Sequence, residues 1–182
     1  TLNVQTDPDW WHPPQGKLVG GVSAVAVGPD GSVWVLHRPR SLSEQDRANA
    51  APPVLKYDQD GRFVAGYGGA GNGYDWPEVE HSLALDAKGH FWVSGSFRND
   101  PARADDVVLE FTGDGKFVKQ IGAQGASTGD SDTNNVRAAS DIFIDDAAGE
   151  VYVSDGYANH RVIVFDQASG DFKRMWGAFG SQ

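Results

Sequence analysis

Residues Ala24–Gly28, Ser82–Asp86 and Asp141–Asp145 alternate apolar with small or polar side chains, and each segment runs into a turn carrying Gly31, Gly89 or Gly149. A period of two places one side of each segment in a core, which predicts β-strands. A second strand follows each turn: Ser32–Leu36, His90–Ser94 and Glu150–Ser154. After a variable loop come third strands at Val54–Tyr57, Val107–Phe111 and Arg161–Phe165. Turns ending in Gly61, Gly115 and Gly170 lead to fourth strands at Arg62–Gly68, Lys116–Gly122 and Asp171–Gly177. The first-turn glycines lie 58 and 60 residues apart. Four antiparallel strands per unit at this spacing predict the blades of a β-propeller.

The expected fold is therefore all-β, with three four-stranded blades at 20–73, 74–135 and 136–182 behind a leader at 1–19. Within the leader, Leu2–Thr6 is a candidate added strand, and Trp10-Trp11-His12-Pro13-Pro14 reads as irregular. Propellers close with four to eight blades, and an open wedge leaves strand edges and blade faces bare. Three blades are half of a six-bladed ring, so the expected partner is either further C-terminal blades or a second identical chain.

Composition narrows the function. A formal charge of −10 spread over many turns argues against nucleic acid and anionic membrane, since phosphate binding needs clustered cations. The one compact basic cluster is His37-Arg38-Pro39-Arg40. No apolar run reaches bilayer length and no signal peptide is recognisable. A start at Thr1 suggests a processed product or a piece of a longer protein. With no cysteine, disulfides and thiolate metal sites are excluded.

Most motif matches have a structural explanation. Gly66–Gly71 fits GxGxxG, yet Tyr74-Asp75-Trp76-Pro77 follows where a dinucleotide fold needs a helix, so it reads as a blade linker. Asp58-Gln59-Asp60-Gly61 and Asp114-Gly115 read as turns. Asp130, Asp132 and Asn134 alternate as calcium ligands do, but Asn135 replaces the required glycine and no closing Glu follows, so a loop is expected. Hydrolase and metalloprotease signatures are absent. His12, His90 and His160 suit structural roles. His81 stands where the other first strands open with Ser23 and Ser140, and these positions should converge on the channel axis. An imidazole there either packs and hydrogen-bonds or binds a metal or substrate.

The third unit, VYVSDG…NHRVIVFD…WG, resembles the NHL repeat, and the likeness extends over roughly residues 20 to 180. Val35–Arg38, Trp76–Asp86 and Val153–Arg161 are further similar to the first half of the peptidyl-α-hydroxyglycine α-amidating lyase core. That resemblance implies an extracytoplasmic enzyme with Arg38 in the active site, His81 as one of three zinc ligands, Tyr157 as the proposed base, and the Leu83 carbonyl on a structural calcium. The family's other two zinc histidines fall in blades beyond this sequence, and Pro39-Arg40-Ser41 departs from the lyase pattern.

The residue types suit the implied chemistry. Zinc polarises an oxygen as a Lewis acid. A tyrosine of ordinary pKa needs about 4 kcal/mol to become phenolate at neutral pH, which a metal and a guanidinium could offset. Arg38 could also fork onto a substrate carboxylate. A single histidine does not make a catalytic zinc site, which needs about three protein ligands.

Two functional readings follow. The first is a binding or scaffolding module that takes a peptide or small molecule in the channel and presents loops Arg38–Pro53 and Ser96–Asp106. The second is a zinc-dependent amidating-type lyase completed by other blades.

Overall fold

The computed structural model describes residues 5–96 and 105–177. The candidate strand Leu2–Thr6, most of the Ser96–Asp106 loop and the segment after Gly177 fall largely outside these residues. Twelve strands form three antiparallel sheets in sequence order. Blade 1 contains β1 (Gly21–Val27), β2 (Val33–Arg38), β3 (Val54–Tyr57) and β4 (Phe63–Tyr67). Blade 2 contains β5 (Glu80–Leu85), β6 (Phe91–Gly95), β7 (Val107–Phe111) and β8 (Phe117–Gly122). Blade 3 contains β9 (Asp141–Asp145), β10 (Glu150–Asp155), β11 (Arg161–Asp166) and β12 (Phe172–Trp176). The chain is a partial β-propeller. Only two short 3₁₀ turns, Pro39–Ser41 and Arg47–Asn49, interrupt the strands among the described residues.

Alternation sends the two faces of each blade to different neighbours. On blade 2, Phe91, Val93, Leu109 and Phe111 join Trp34, Leu36 and Val54 of blade 1 in one core. Trp92, Val108 and Ile121 point the other way, into a second core with Ile142, Ile144, Val151 and Val153 of blade 3. This is why every residue of β6 is buried. Aromatic rings anchor the first seam: Phe91 lies 5.4 Å from Trp34, 5.9 Å from Tyr67 and 5.0 Å from Phe111. Such offset and tilted ring pairs add roughly 1 kcal/mol each beyond their burial.

The described part of the leader is irregular, as expected, and docks on blade 1. Trp10 packs against Tyr57, its indole N–H donates to the Gln59 carbonyl, and the His12 amide donates to the Gly61 carbonyl. It thereby covers part of the outer half of blade 1's rear face. The linker carries Tyr74 and Trp76 over the corresponding half of blade 2, where both rings meet Phe111.

Candidate functional site

The first strands β1, β5 and β9 lie next to one another, and the register explains how they present side chains. β1 and β5 each carry a β-bulge near the start, and Ser23 and His81 are the extra residues. A bulge re-aims the unpaired side chain away from the alternating pattern. Ser140 immediately precedes β9, with its amide on the Ser154 carbonyl. The two serines turn back onto their own blades: Ser23 Oγ donates to the Leu36 carbonyl at 3.3 Å, and Ser140 Oγ to the Ser154 carbonyl at 2.8 Å. His81 instead reaches across both seams.

Its Nδ1 lies 3.0 Å from Arg38 Nη2, and its Nε2 lies 3.0 Å from the Tyr157 hydroxyl. Arg38 closes the end of β2, and Tyr157 follows β10, so one residue from each blade enters a single hydrogen-bonded chain. A guanidinium only donates, so Nδ1 must be the acceptor and the neutral ring carries its proton on Nε2. The Nε2–H therefore donates to the Tyr157 oxygen. That leaves the phenol proton free to point outward, and the Tyr157 ring is half exposed. Burial, and then the Arg38 charge, hold the His81 pKa below its ordinary value, while Asp141 pulls the other way.

Arg38 is fixed by a residue that the sequence analysis did not single out. Its Nε donates to the Glu80 carbonyl at 2.7 Å, while its Nη1 has no partner among the described residues. The Glu80 side chain is buried, takes the Trp76 indole N–H at 3.0 Å and has its pKa raised by burial. Ser82 Oγ donates across the next seam to Asp141 at 2.9 Å. Neither residue carries a motif, and only its position beside the bulge marks it.

The basic cluster disperses once folded. His37 is buried, accepting the Gly20 amide at Nδ1 and donating from Nε2 to the Pro52 carbonyl, while Arg40 pairs with Glu78. Asp132 is neutralised by its own loop, accepting the amides of Thr128, Asn134 and Asn135. The Arg161 guanidinium fills the centre of that loop through the Asp130, Asp132 and Asn135 carbonyls. The arrangement is that of a structural loop.

A zinc ion at His81 is not supported by the described residues alone. Both ring nitrogens have partners, and a metal on Nε2 would move the ring proton to Nδ1, against the donor-only Arg38. Among the described residues, His81 also belongs to no group of three close His, Asp or Glu ligand atoms. The one such group among the described residues is Asp86, His90 and Glu110. There His90 Nδ1 sits 2.7 Å from Glu110, and the Lys119 ammonium lies 3.2 Å from the other Glu110 oxygen. Lys119 already supplies a cation. Leu83, whose carbonyl the resemblance assigns to calcium, pairs with Val93 and buries its side chain in the first seam.

No family model matches the chain. It is 24% identical to rat peptidylglycine alpha-amidating monooxygenase and 25% identical to the Xenopus laevis monooxygenase A, each over 97% of this chain. The chain spans about a fifth of those relatives, 18% and 19% of their lengths. Among solved structures it resembles U3-55K (TM-score 0.57, 11% identity, 91% of this chain and 42% of that one). It also resembles a chain of the nidogen/laminin complex (TM-score 0.58, 12% identity, 88% and 49%). The structural likenesses establish the fold alone. The sequence similarity points to the amidating enzymes as relatives of the whole described unit.

Proposed function

We propose that the chain is an NHL-type propeller module whose channel end binds a small carboxylate-bearing carbinol, and that it acts as a lyase on a peptidyl-α-hydroxyglycine. The Arg38–His81–Tyr157 chain of hydrogen bonds carries this reading, because it unites the three residues that the resemblance assigns to one site. Arg38 Nη1 is available for the substrate carboxylate, where a guanidinium forms charge-assisted bonds. The Tyr157 oxygen, supported by the His81 N–H with Arg38 behind it, takes the hydroxyl proton as general base in its phenolate form, after its own outward-pointing proton has gone to solvent. As the carbon–oxygen double bond forms, the C–N bond breaks and its electron pair goes to the amide nitrogen, which takes up a proton. The products are a peptide amide and glyoxylate.

Zinc and calcium, which the resemblance implies at His81 and the Leu83 carbonyl, lie outside this reading, because the His81 Nε2–H is committed to Tyr157 and Nδ1 to Arg38. No step above runs through either ion. An extracytoplasmic location belongs to the same reading.

The test is calorimetric titration with α-hydroxyhippurate, followed by product analysis for benzamide and glyoxylate. Arg38→Leu should weaken binding at least tenfold, and Tyr157→Phe should retain binding while abolishing any turnover. Undiminished binding to the Arg38→Leu protein would remove the basis for the site. Binding without turnover in the parent would favour the binding-module reading, which the pinned 39–53 loop also supports: Arg47 caps the Arg40 and Leu42 carbonyls, and Ser41 holds the Gly21 amide.

A further inference from the structure

The two internal seams define what the forward face of a blade requires. Trp34 pairs with Ala26, Trp92 with Ala84, and Tyr152 with Phe143, so these are equivalent positions on the three forward faces. Trp34 and Trp92 are buried by the following blade. The forward face of blade 3 is not covered: Phe143, in the place of Ala26 and Ala84, is 63% exposed, Trp176 is 51% exposed, and Tyr152, the half-buried counterpart of the two tryptophans, packs edge-on between them at 6.1 and 6.3 Å. The charged groups repeat as well. Lys119 sits over the Trp92 ring, pairs with Glu110, and crosses the seam to the Gln167 and Ala168 carbonyls in the third turn of blade 3. Arg174 pairs with Val164 as Lys119 pairs with Glu110. It likewise lies over an aromatic ring, that of Tyr152, with a carboxylate partner in Glu150.

The rear face of blade 1 is asymmetric with this. In each internal seam the third-turn glycine of the following blade rests on a side chain of the preceding blade, Gly115 on Tyr67 and Gly170 on Ile121. The equivalent Gly61 is covered by Trp10 of the chain's own leader. Trp176 is the register equivalent of Tyr67 and Ile121, so a second copy docking its blade 3 on blade 1 would find that seat taken.

We infer that the Phe143–Tyr152–Trp176 face is an open propeller seam whose occupant is a further four-stranded blade with an uncapped rear face, and not blade 1 of a second copy. The occupant must bring aliphatic residues on its first strand, as Leu83, Leu85, Ile142 and Ile144 do in the existing seams. Its third turn must offer a glycine to Trp176 and free carbonyls to Arg174.

The absence of cysteine from the sequence provides a clean probe. A Phe143→Cys chain carries one thiol, on this face, and its reaction with a disulfide reagent reports coverage. In the chain alone the thiol should react freely, and light scattering should give a monomer. Adding a second copy of residues 123–177 after residue 177, with Phe143 retained in the added blade, should slow labelling at least tenfold. Ile142→Asp with Ile144→Asp in the added blade should restore the fast rate. An unprotected thiol in the extended protein would overturn the inference, whether the added blade stays apart or fails to fold, because this face is what it is proposed to fold against. A dimer of the unextended chain with a protected thiol would overturn it equally, by showing that a second copy displaces the leader.

Discussion

Replacing Asp106 by asparagine should stabilise the protein at neutral pH, against the usual direction of core substitutions. Asp106 immediately precedes β7, is 2% exposed, and has one carboxylate oxygen with no hydrogen-bond partner among the described residues. Burial pushes its pKa up to about 6, with Asp155 adding to the effect, while Arg137 and the Ser127 and Ala138 amides pull it down. The unfolded carboxyl titrates near 3.8. Between these values the folded state binds more protons than the unfolded one, so this group's contribution to stability falls as pH rises from about 4 to about 6. A shift of roughly two units corresponds to about 3 kcal/mol. The carboxamide of the Asp106→Asn variant resembles the protonated acid and has no charge to bury. Urea denaturation of both proteins should therefore give nearly equal stabilities at pH 4. The variant's advantage should grow towards about 3 kcal/mol by pH 7. A stability difference independent of pH across this interval, or a variant less stable than the parent at pH 7, would refute the reasoning.

Two further outcomes concern the first blade. His37 is buried with both nitrogens in use, and burial lowers its pKa from 6.5, so its contribution is intact above about pH 6.5 and is lost as pH falls and the unfolded imidazole takes up protons. His37→Ala should cost about 2–3 kcal/mol at pH 7.5 and less at pH 5, as measured by the same denaturation series. Gly61 has φ +74, and a Cβ there would strike the Trp10 carbonyl, so Gly61→Ala should detach the leader. A red shift of tryptophan emission and faster proteolysis before residue 20 would report the detachment.

The blade pattern was legible because each strand announces itself twice, by alternation and by the glycine of its turn. Gly31, Gly61, Gly89, Gly115, Gly149 and Gly170 all take positive φ, which only glycine adopts without strain. Strand ends shifted by one to three residues, as at β1, which begins at Gly21 and not at Ala24. The bulge at Ser23 hides those first residues from a strict period of two. Arg38, His81 and Tyr157 were found through a motif resemblance and then brought into one hydrogen-bonded chain by the fold. Glu80 escaped because it acts on Arg38 through its backbone carbonyl, which every residue has. The leader's role escaped for a related reason: Trp10 gains its meaning from Gly61, about 50 residues away, and no local period connects them.

The bulge at His81 separates the site from the scaffold. A residue on the regular ladder of β5 alternates between two packed seams, so changing it disturbs one core or the other. The extra residue of the bulge has no partner on the ladder and takes no place in either apolar core, so its side chain type is free of the packing that constrains its neighbours. Blade 1 carries a serine in the same socket, and blade 3 carries one just before its first strand, without any change in the four-strand frame around it. Such sockets let a propeller acquire or lose a functional group one blade at a time while its stability is inherited unchanged from the repeat.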